Sequence, residues 1–419
     1  MNHSLKSLAC QMICMTMLLI STSVFAVQQM TIELSEAEVE ARVYGKEQNI
    51  RVLWIASSFG SNERHTQLAV DLAKQNMQVW QVDLAEALFL PKGAPSSRAI
   101  PGKLVAELIN HLAEQGKYRI LLIGSAYGAI PVLRGAYAWQ VQKPNRRDVI
   151  GAVLFSPYLY THVPDIGSEP EFVLETSATS IPVYIFQSAK NTNRWHLPAM
   201  LKQLQANATV FTEIMPGTTS IFYREDKSVE TQQVLQQMAV KIARIIPLLE
   251  NEQYPLQAAV LPKRTETTNK LGLDDKLKPY KGTIKPQAIN LLDVNGKPLS
   301  LGDYKGGVTV INFWATWCPP CVEEIPSLNR LRSKMQGKKF QLISVNFGES
   351  AGQIRKFMQK VKVDFPVLID PEGTTAGNWK VVAFPSTFVI GPDGRIAYGV
   401  NAAIHWDTDE VIQKLNALY

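Results

Sequence analysis

The sequence predicts an α/β protein with two domains joined by a linker, and three observations carry this prediction. Across residues 27–250, short apolar runs alternate with amphipathic helical patterns, which is typical of a parallel sheet covered on both faces. At residue 308 another apolar run begins; it stops at a Cys-x-x-Cys pair that an amphipathic helix follows. A segment with little hydrophobic periodicity separates the two regions. The length of 419 residues fits two or three domains.

Residues 1–26 have the pattern of a secretory signal peptide. Lys6 supplies positive charge, an apolar core covers residues 12–20, and Ala26 closes a small-residue cleavage site. The apolar run is shorter than the roughly 20 residues of a transmembrane helix, and an uncleaved membrane anchor is the alternative. Export would place the protein where disulfides persist. Cleavage would also remove Cys10 and Cys14, which would leave the later Cys-x-x-Cys pair as the only cysteines.

Composition and spacing exclude several classes of function. The net charge of +6 is mild for this length, and no Lys/Arg cluster interleaves with aromatic residues, so we expect no nucleic-acid partner. No pair of histidines has the spacing of metal ligands, so we expect neither a metal nor another cofactor. The composition does not indicate the oligomeric state.

Residues 27–250 are predicted to form one domain of alternating strands and helices. The expected strands are the apolar runs at residues 52–56, 79–82, 120–123, 152–155, 183–186 and 210–214. The expected helices are the amphipathic patterns at residues 66–75, 103–115, 130–141, 197–205 and 229–249. Strands buried on both faces and separated by helices predict a doubly wound sheet.

One turn of this domain has the setting of a nucleophile elbow. Residues 124–128 read Gly-Ser-Ala-Tyr-Gly between a predicted strand and a predicted helix. The domain resembles the α/β-hydrolase fold there, and residues 57–61 resemble that family's oxyanion loop. The central residue of the elbow, however, is Ala126, which carries no nucleophile.

The other two positions of a hydrolase triad are also altered. Lys190 and Asn191 stand where the resemblance implies an aspartate, and residues 216–220 contain no histidine where one is implied. We therefore expect a non-catalytic domain for docking or ligand binding. A serine esterase that uses Ser125, with His162 or His196 as its base, is an alternative.

Residues 251–280 are predicted to be a linker of moderate stiffness, because they are rich in Lys, Thr, Asp and Pro. The strand that follows ends at the Cys-x-x-Cys pair, where Cys318 would begin a helix. Free N–H groups and the helix dipole stabilise a thiolate at that position. Cys321 would lie in the first turn as the resolving thiol. Half of a zinc site and a purely structural disulfide are the alternatives, although a closed zinc site needs four ligands.

Several spaced motifs make residues 281–419 similar to the TlpA-like thioredoxin-fold proteins, which are bacterial thiol-disulfide oxidoreductases. Residues 291–301 resemble the family's N-terminal hairpin, and residues 312–321 resemble its active site. Glu324 and Pro326 match its E-x-P motif, and residues 384–390 match the segment that holds its cis-proline.

The resemblance implies roles for the residues around the cysteine pair. Glu324 would manage the proton on Cys321, because Asn312 replaces the titratable aspartate of thioredoxins proper; a first-turn acid that complements the helix dipole is the alternative. Pro385, preceded by Phe384, would form a cis peptide beside the cysteines, with an ordinary trans proline as the alternative. The remaining expected support for the active site comes from Trp317, Pro319 and Pro320.

The predicted function is that of a periplasmic thiol-disulfide oxidoreductase, and the resemblance implies reduction of protein disulfides. The expected partners are a disulfide-containing protein substrate and a membrane or periplasmic electron donor. A redox-sensing adaptor whose N-terminal domain binds a partner is the alternative function.

Overall fold

A computed structural model describes residues 27–57, 59–223, 226–262, 276–302 and 304–419. These residues form two α/β units, each built on its own main sheet. The predicted signal peptide, with Cys10 and Cys14, lies outside the described residues. Within those residues, no helix combines the length and apolar character needed to span a membrane.

The N-terminal unit is built on an eight-stranded sheet with the strand order β1-β2-β4-β3-β5-β6-β7-β8. Its strands are β1 (Gln28–Glu33), β2 (Glu38–Tyr44), β3 (Ile50–Ile55), β4 (Met77–Val82), β5 (Arg119–Ser125), β6 (Val149–Phe155), β7 (Val183–Ser188) and β8 (Val210–Met215). Strands β3 to β8 are parallel, as the continuous apolar runs predicted. The antiparallel strands β1 and β2 were not predicted, because largely exposed or alternating side chains gave them no continuous apolar run.

Helices cover both faces of this sheet. They are α1 (Glu63–Ala73), α2 (Leu84–Ala87), α3 (Ala94–Ala99), α4 (Gly102–Ala113), α5 (Ala129–Gln142), α6 (Glu175–Ala178), α7 (Leu197–Leu204) and α8 (Val229–Asn251). On one face, Leu72 of α1 and Ile242 of α8 belong to the same buried cluster. On the other face, Leu108 of α4 and Leu133 of α5 belong to a second cluster. The predicted two-faced packing is therefore confirmed.

The C-terminal unit contains a six-stranded sheet and a separate hairpin. Its strands are β9 (Lys278–Pro279), β10 (Ile289–Leu292), β11 (Pro298–Leu301), β12 (Val308–Trp314), β13 (Phe340–Phe347), β14 (Val367–Asp370), β15 (Ser386–Ile390) and β16 (Ile396–Val400). Its helices are α9 (Pro319–Lys334), α10 (Ala351–Met358), α11 (Thr374–Asn378) and α12 (Asp409–Asn416). The sheet order is β14-β13-β12-β15-β16-β9, and β10 and β11 form the hairpin. Strand β12, which leads into the cysteine pair, lies in the interior of the sheet.

The ends of the predicted linker are held by both units. Tyr254 is buried in the N-terminal unit, and its hydroxyl donates to Val149 O at 2.6 Å. At the other end, β9 pairs with β16 of the C-terminal sheet. Residues 263–275 lie outside the described residues. The boundaries 251 and 280 therefore stay predictions.

The two units are packed against each other. Ile166, in the loop after β6, belongs to a core cluster made otherwise of C-terminal residues such as Trp379 and Phe388. In the same region, Asn401 Nδ2 donates to Pro164 O at 2.7 Å. Apolar burial and hydrogen bonds therefore both hold the units together.

Helix packing in the N-terminal unit generates a prediction about two helical glycines. A methyl group on Gly135 of α5 would overlap the side chain of Val105 of α4, so Gly135→Ala should lower the free energy of unfolding by about 1–3 kcal/mol. The exposed Gly352 of α10 is the matched control, because its nearest neighbour would be Ser350 Oγ at 3.9 Å. Gly352→Ala should raise stability by about 0.5–1 kcal/mol. Denaturant titrations should show a lower free energy of unfolding for Gly135→Ala and a higher one for Gly352→Ala. Equal changes in the two variants would contradict the close contact between α4 and α5.

Candidate active site

The cysteine pair lies where strand β12 gives way to helix α9. Cys318 is the N-cap residue of α9 and forms a disulfide with Cys321 in its first turn. The Cys321 N–H also donates to Cys318 Sγ, with a donor–acceptor distance of 3.3 Å. Pro319 and Pro320 occupy the first two helical positions, where a missing N–H costs no intrahelical hydrogen bond. Because the two prolines carry no N–H, the first N–H of the helix is that of Cys321, and it points at the Cys318 sulfur near the positive end of the helix dipole.

Most of the predicted supporting residues surround this disulfide. The rings of Trp317 and Phe384 are in edge-to-face contact at 5.8 Å. The peptide bond between Phe384 and Pro385 is cis, and Pro385 is buried. Pairing of β15 with β12 places Ser386 opposite Phe313, which brings the cis-proline to the end of β12.

Glu324 lies on the buried face of helix α9, and both of its carboxyl oxygens accept hydrogen bonds. Its side chain is 3% exposed and lies one helical turn after Cys321, on the same face of α9. Asn312 Nδ2 donates to Glu324 Oε1 at 2.7 Å, and Trp406 Nε1 donates to Oε2 at 3.1 Å. Thr387 Oγ1 accepts the second Asn312 amide hydrogen at 2.9 Å.

Burial changes the acid strength of Glu324. Removal from water disfavours the charged form, which raises the pKa of the Glu324 carboxyl from its ordinary 4.5 to about 7. Hydrogen bonds from Trp406, Asn312 and the Ile404 backbone act in the opposite direction, because they stabilise the carboxylate. The result is a buried group that can exchange a proton near neutral pH.

Two further residues shape the site, and the sequence did not single them out. Glu349, after β13, is 5% exposed and accepts from the Thr316 N–H at 2.7 Å and from Asn346 Nδ2 at 2.9 Å. Glu349 therefore fixes the loop that leads into Cys318. Trp406 holds Glu324 from a segment 82 positions further along the chain. No local periodicity marks either residue.

The turn after β5 in the N-terminal unit has a strained backbone, and its central residue carries no nucleophile. Ala126 has φ of +48° at the sharp turn between β5 and α5, a strained conformation for a residue with a Cβ. His162 Nδ1 contacts Thr161 Oγ1 at 2.9 Å, and His196 Nδ1 contacts the Tyr160 hydroxyl at 3.1 Å. Among the described residues, these two histidines thus have partners other than Ser125. Across the same residues, no three His, Cys, Asp or Glu side chains are grouped to hold a metal ion.

Comparisons with known proteins match the C-terminal unit. Residues 284–399 match the AhpC/TSA family. The thiol-disulfide oxidoreductase ResA of Bacillus thuringiensis subsp. konkukian is 34% identical over 121 residues, which cover 28% of this chain and 70% of that protein. The chain belongs to the ResA family of thiol-disulfide oxidoreductases. The membership rests on its ResA-like C-terminal unit.

Other relatives give the extent of the ResA similarity. The ResA protein of Bacillus subtilis is 36% identical over 115 residues, which cover 27% of this chain and 64% of the relative. The chain thus spans less than two thirds of that protein. Among solved structures, StoA from Bacillus subtilis has 23% identity and a TM-score of 0.26, covering 31% of this chain and 97% of StoA.

The raised pKa of Glu324 predicts a pH-dependent stability. The unfolded chain releases this proton near pH 4.5 and the folded chain near pH 7. Between these values the folded state binds more protons, so the stability of the wild type should fall as pH rises. At about 1.4 kcal/mol per pKa unit, the loss is on the order of 3 kcal/mol.

The matched control for this prediction is Glu324→Gln, which cannot titrate. The oxidised wild type and the variant should be unfolded by denaturant at several pH values. The wild type should lose stability relative to the variant between pH 4.5 and 7, with a constant difference outside that range. A difference independent of pH would show that Glu324 has an ordinary pKa.

Proposed function

We propose that the chain is a periplasmic thiol-disulfide oxidoreductase that reduces protein disulfides through Cys318 and Cys321. The observation that carries the proposal is the buried carboxyl of Glu324, one turn after Cys321, with a pKa near 7. A structural disulfide has no need of a proton-exchanging group beneath it, whereas thiol exchange moves a proton in each half of the cycle.

The exchange cycle uses both sulfurs. The Cys318 thiolate attacks one sulfur of a substrate disulfide, and the other substrate sulfur leaves as a thiolate that takes a proton from water. Cys321 then loses its proton and attacks Cys318 Sγ, which breaks the mixed disulfide and releases the second substrate thiolate. Two electrons pass to the substrate, and the Cys318–Cys321 disulfide remains.

Glu324 has a specific task in the second step. Cys321 is a buried residue, 1% exposed, so bulk water is poorly placed to remove the proton from its thiol. The Glu324 carboxylate accepts that proton and returns it when the disulfide is reduced again. Asn312 cannot titrate, and it orients Glu324 through its amide.

Different observations support the periplasmic location and the reduction, rather than oxidation, of substrate disulfides. The signal-peptide pattern of residues 1–26 supports export to the periplasm. Reduction is supported by the resemblance to TlpA-like proteins. Each turnover leaves a disulfide, so a membrane-bound or periplasmic dithiol donor must restore the two thiols.

A redox-sensing adaptor is the second candidate function. The packing of the N-terminal unit on the C-terminal unit favours it, because such an interface can transmit the state of the disulfide. In that case the cysteine pair would change state without turning over a substrate.

Insulin reduction provides the test of catalysis. With dithiothreitol as the electron source, the mature wild type should speed the precipitation of reduced insulin. Cys318→Ser should fall to the rate without enzyme, because the attacking sulfur is gone. Ser125→Ala is the control and should match the wild type. Equal rates for wild type and Cys318→Ser, both with insulin and with the small disulfide cystamine, would end the proposal.

A trapping experiment separates the enzyme from the adaptor. Cys321→Ser should accumulate a mixed disulfide between Cys318 and insulin, because no resolving thiol can release it. Mass spectrometry would identify the linked peptides, and Cys318→Ser is the matched control. An adaptor would give no Cys318-linked insulin and no turnover by the wild type.

A further inference from the structure

The loops at one edge of the N-terminal sheet contact the redox unit. Strands β6, β7 and β8 are parallel neighbours, so their carboxyl ends lie at the same edge. The loop after β6 carries Ile166, the loop after β7 carries Thr192, and the loop after β8 carries Tyr223. In open α/β sheets this edge is where ligands bind. In this chain the same edge faces the C-terminal unit.

Two of these residues touch both sides of the active site. The Tyr223 hydroxyl donates to the backbone oxygen of Trp317, and the two rings are 5.4 Å apart. Trp317 immediately precedes Cys318. Thr192 Oγ1 donates at 2.9 Å to the backbone oxygen of Val382, three residues before the cis-proline. We call Tyr223 and Thr192 the wall residues.

The wall residues are anchored within the N-terminal unit. Asn62 Nδ2 donates to Phe222 O at 2.8 Å, and the Phe222 ring stacks on His65 at 4.2 Å. These contacts hold the residue directly before Tyr223. Thr192 is 6% exposed and begins a short 3-10 turn. The wall is therefore part of the fold of the N-terminal unit.

Access to the reactive sulfur is narrow. Cys318 is 5% exposed, and Pro385 is buried beside it. Thiol exchange requires a substrate sulfur to reach Cys318 Sγ directly and to form a mixed disulfide. The N-terminal unit contacts the loops on both sides of this sulfur, so a disulfide set in a broad protein surface has less room to approach Cys318 than a small one.

We propose that Tyr223 and Thr192 determine substrate specificity by admitting disulfides of small cross-section and rejecting those set in a folded surface. This inference rests on the proposed function and narrows its substrate class to small disulfides and extended chain segments. The N-terminal unit thereby contributes one wall of the redox site.

The test compares two maleimides of different size on the reduced Cys321→Ser protein, in which Cys318 is the reactive thiol of the mature chain. One reagent is N-ethylmaleimide, and the other is a maleimide fixed to the surface of a folded carrier protein. If the wall residues limit access, N-ethylmaleimide should modify Cys318 faster than the carrier-bound maleimide does. Tyr223→Ala should reduce this preference roughly fivefold or more, because a ring contact and a hydrogen bond are lost.

A second variant disrupts the interface between the two units at a residue other than the wall residues. Ile166 is 8% exposed among apolar residues of the redox unit, so Ile166→Asp should separate the two units and also reduce the preference. Tyr184→Ala is the matched control, because Tyr184 pairs with Glu213 within the N-terminal unit. It should keep the wild-type preference, and circular dichroism should confirm that each variant is folded.

The outcomes separate this inference from the proposed function. An unchanged preference in both Tyr223→Ala and Ile166→Asp, or an equal loss in Tyr184→Ala, would overturn the wall. With wild-type cysteines, Tyr223→Ala should also raise insulin turnover relative to turnover of the small disulfide cystamine. If no variant turns over either disulfide, the proposed function is lost, while the maleimide preference still decides whether the wall exists.

Discussion

The redox site depends on one buried carboxyl group. Glu324 lies where the active-site helix, the central strand and the Trp406 segment meet, and it accepts hydrogen bonds from Asn312 and Trp406. An unpaired buried charge would cost several kcal/mol. The donors reduce that cost without removing it, which explains why the pKa rises only to about 7. The same bonds join β12, α9 and the C-terminal segment around the disulfide.

In both units a short turn connects an interior strand of the sheet to the helix that follows it. In the C-terminal unit, β12 ends at a helix N-terminus that supports a reactive sulfur. In the N-terminal unit, β5 ends at a strained turn that carries Ala126, whose side chain is not a nucleophile. The carboxyl edge of that sheet instead contacts the redox unit through Tyr223 and Thr192. The carboxyl ends of the strands, where open α/β sheets commonly bind ligands, thus lie against the redox site of the other unit.

Local patterns predicted much of this molecule. The apolar runs located the parallel strands, and the Cys-x-x-Cys pair located the start of α9, because each depends on residues close in sequence. The antiparallel strands β1 and β2 were missed because they lack a continuous apolar run. Trp406, Glu349 and Tyr223 were missed because their roles come from contacts across 82, 33 and 94 positions. Such contacts leave no periodicity in the sequence.

The central claim is that Glu324 is a buried acid coupled to the dithiol. The most direct measurement is a carbon-13 NMR titration of its carboxyl in the oxidised and reduced protein. The account predicts a midpoint near pH 7 in the oxidised protein and a different curve after reduction, when Cys321 titrates beside it. A midpoint near 4.5, or a curve that reduction leaves unchanged, would contradict it.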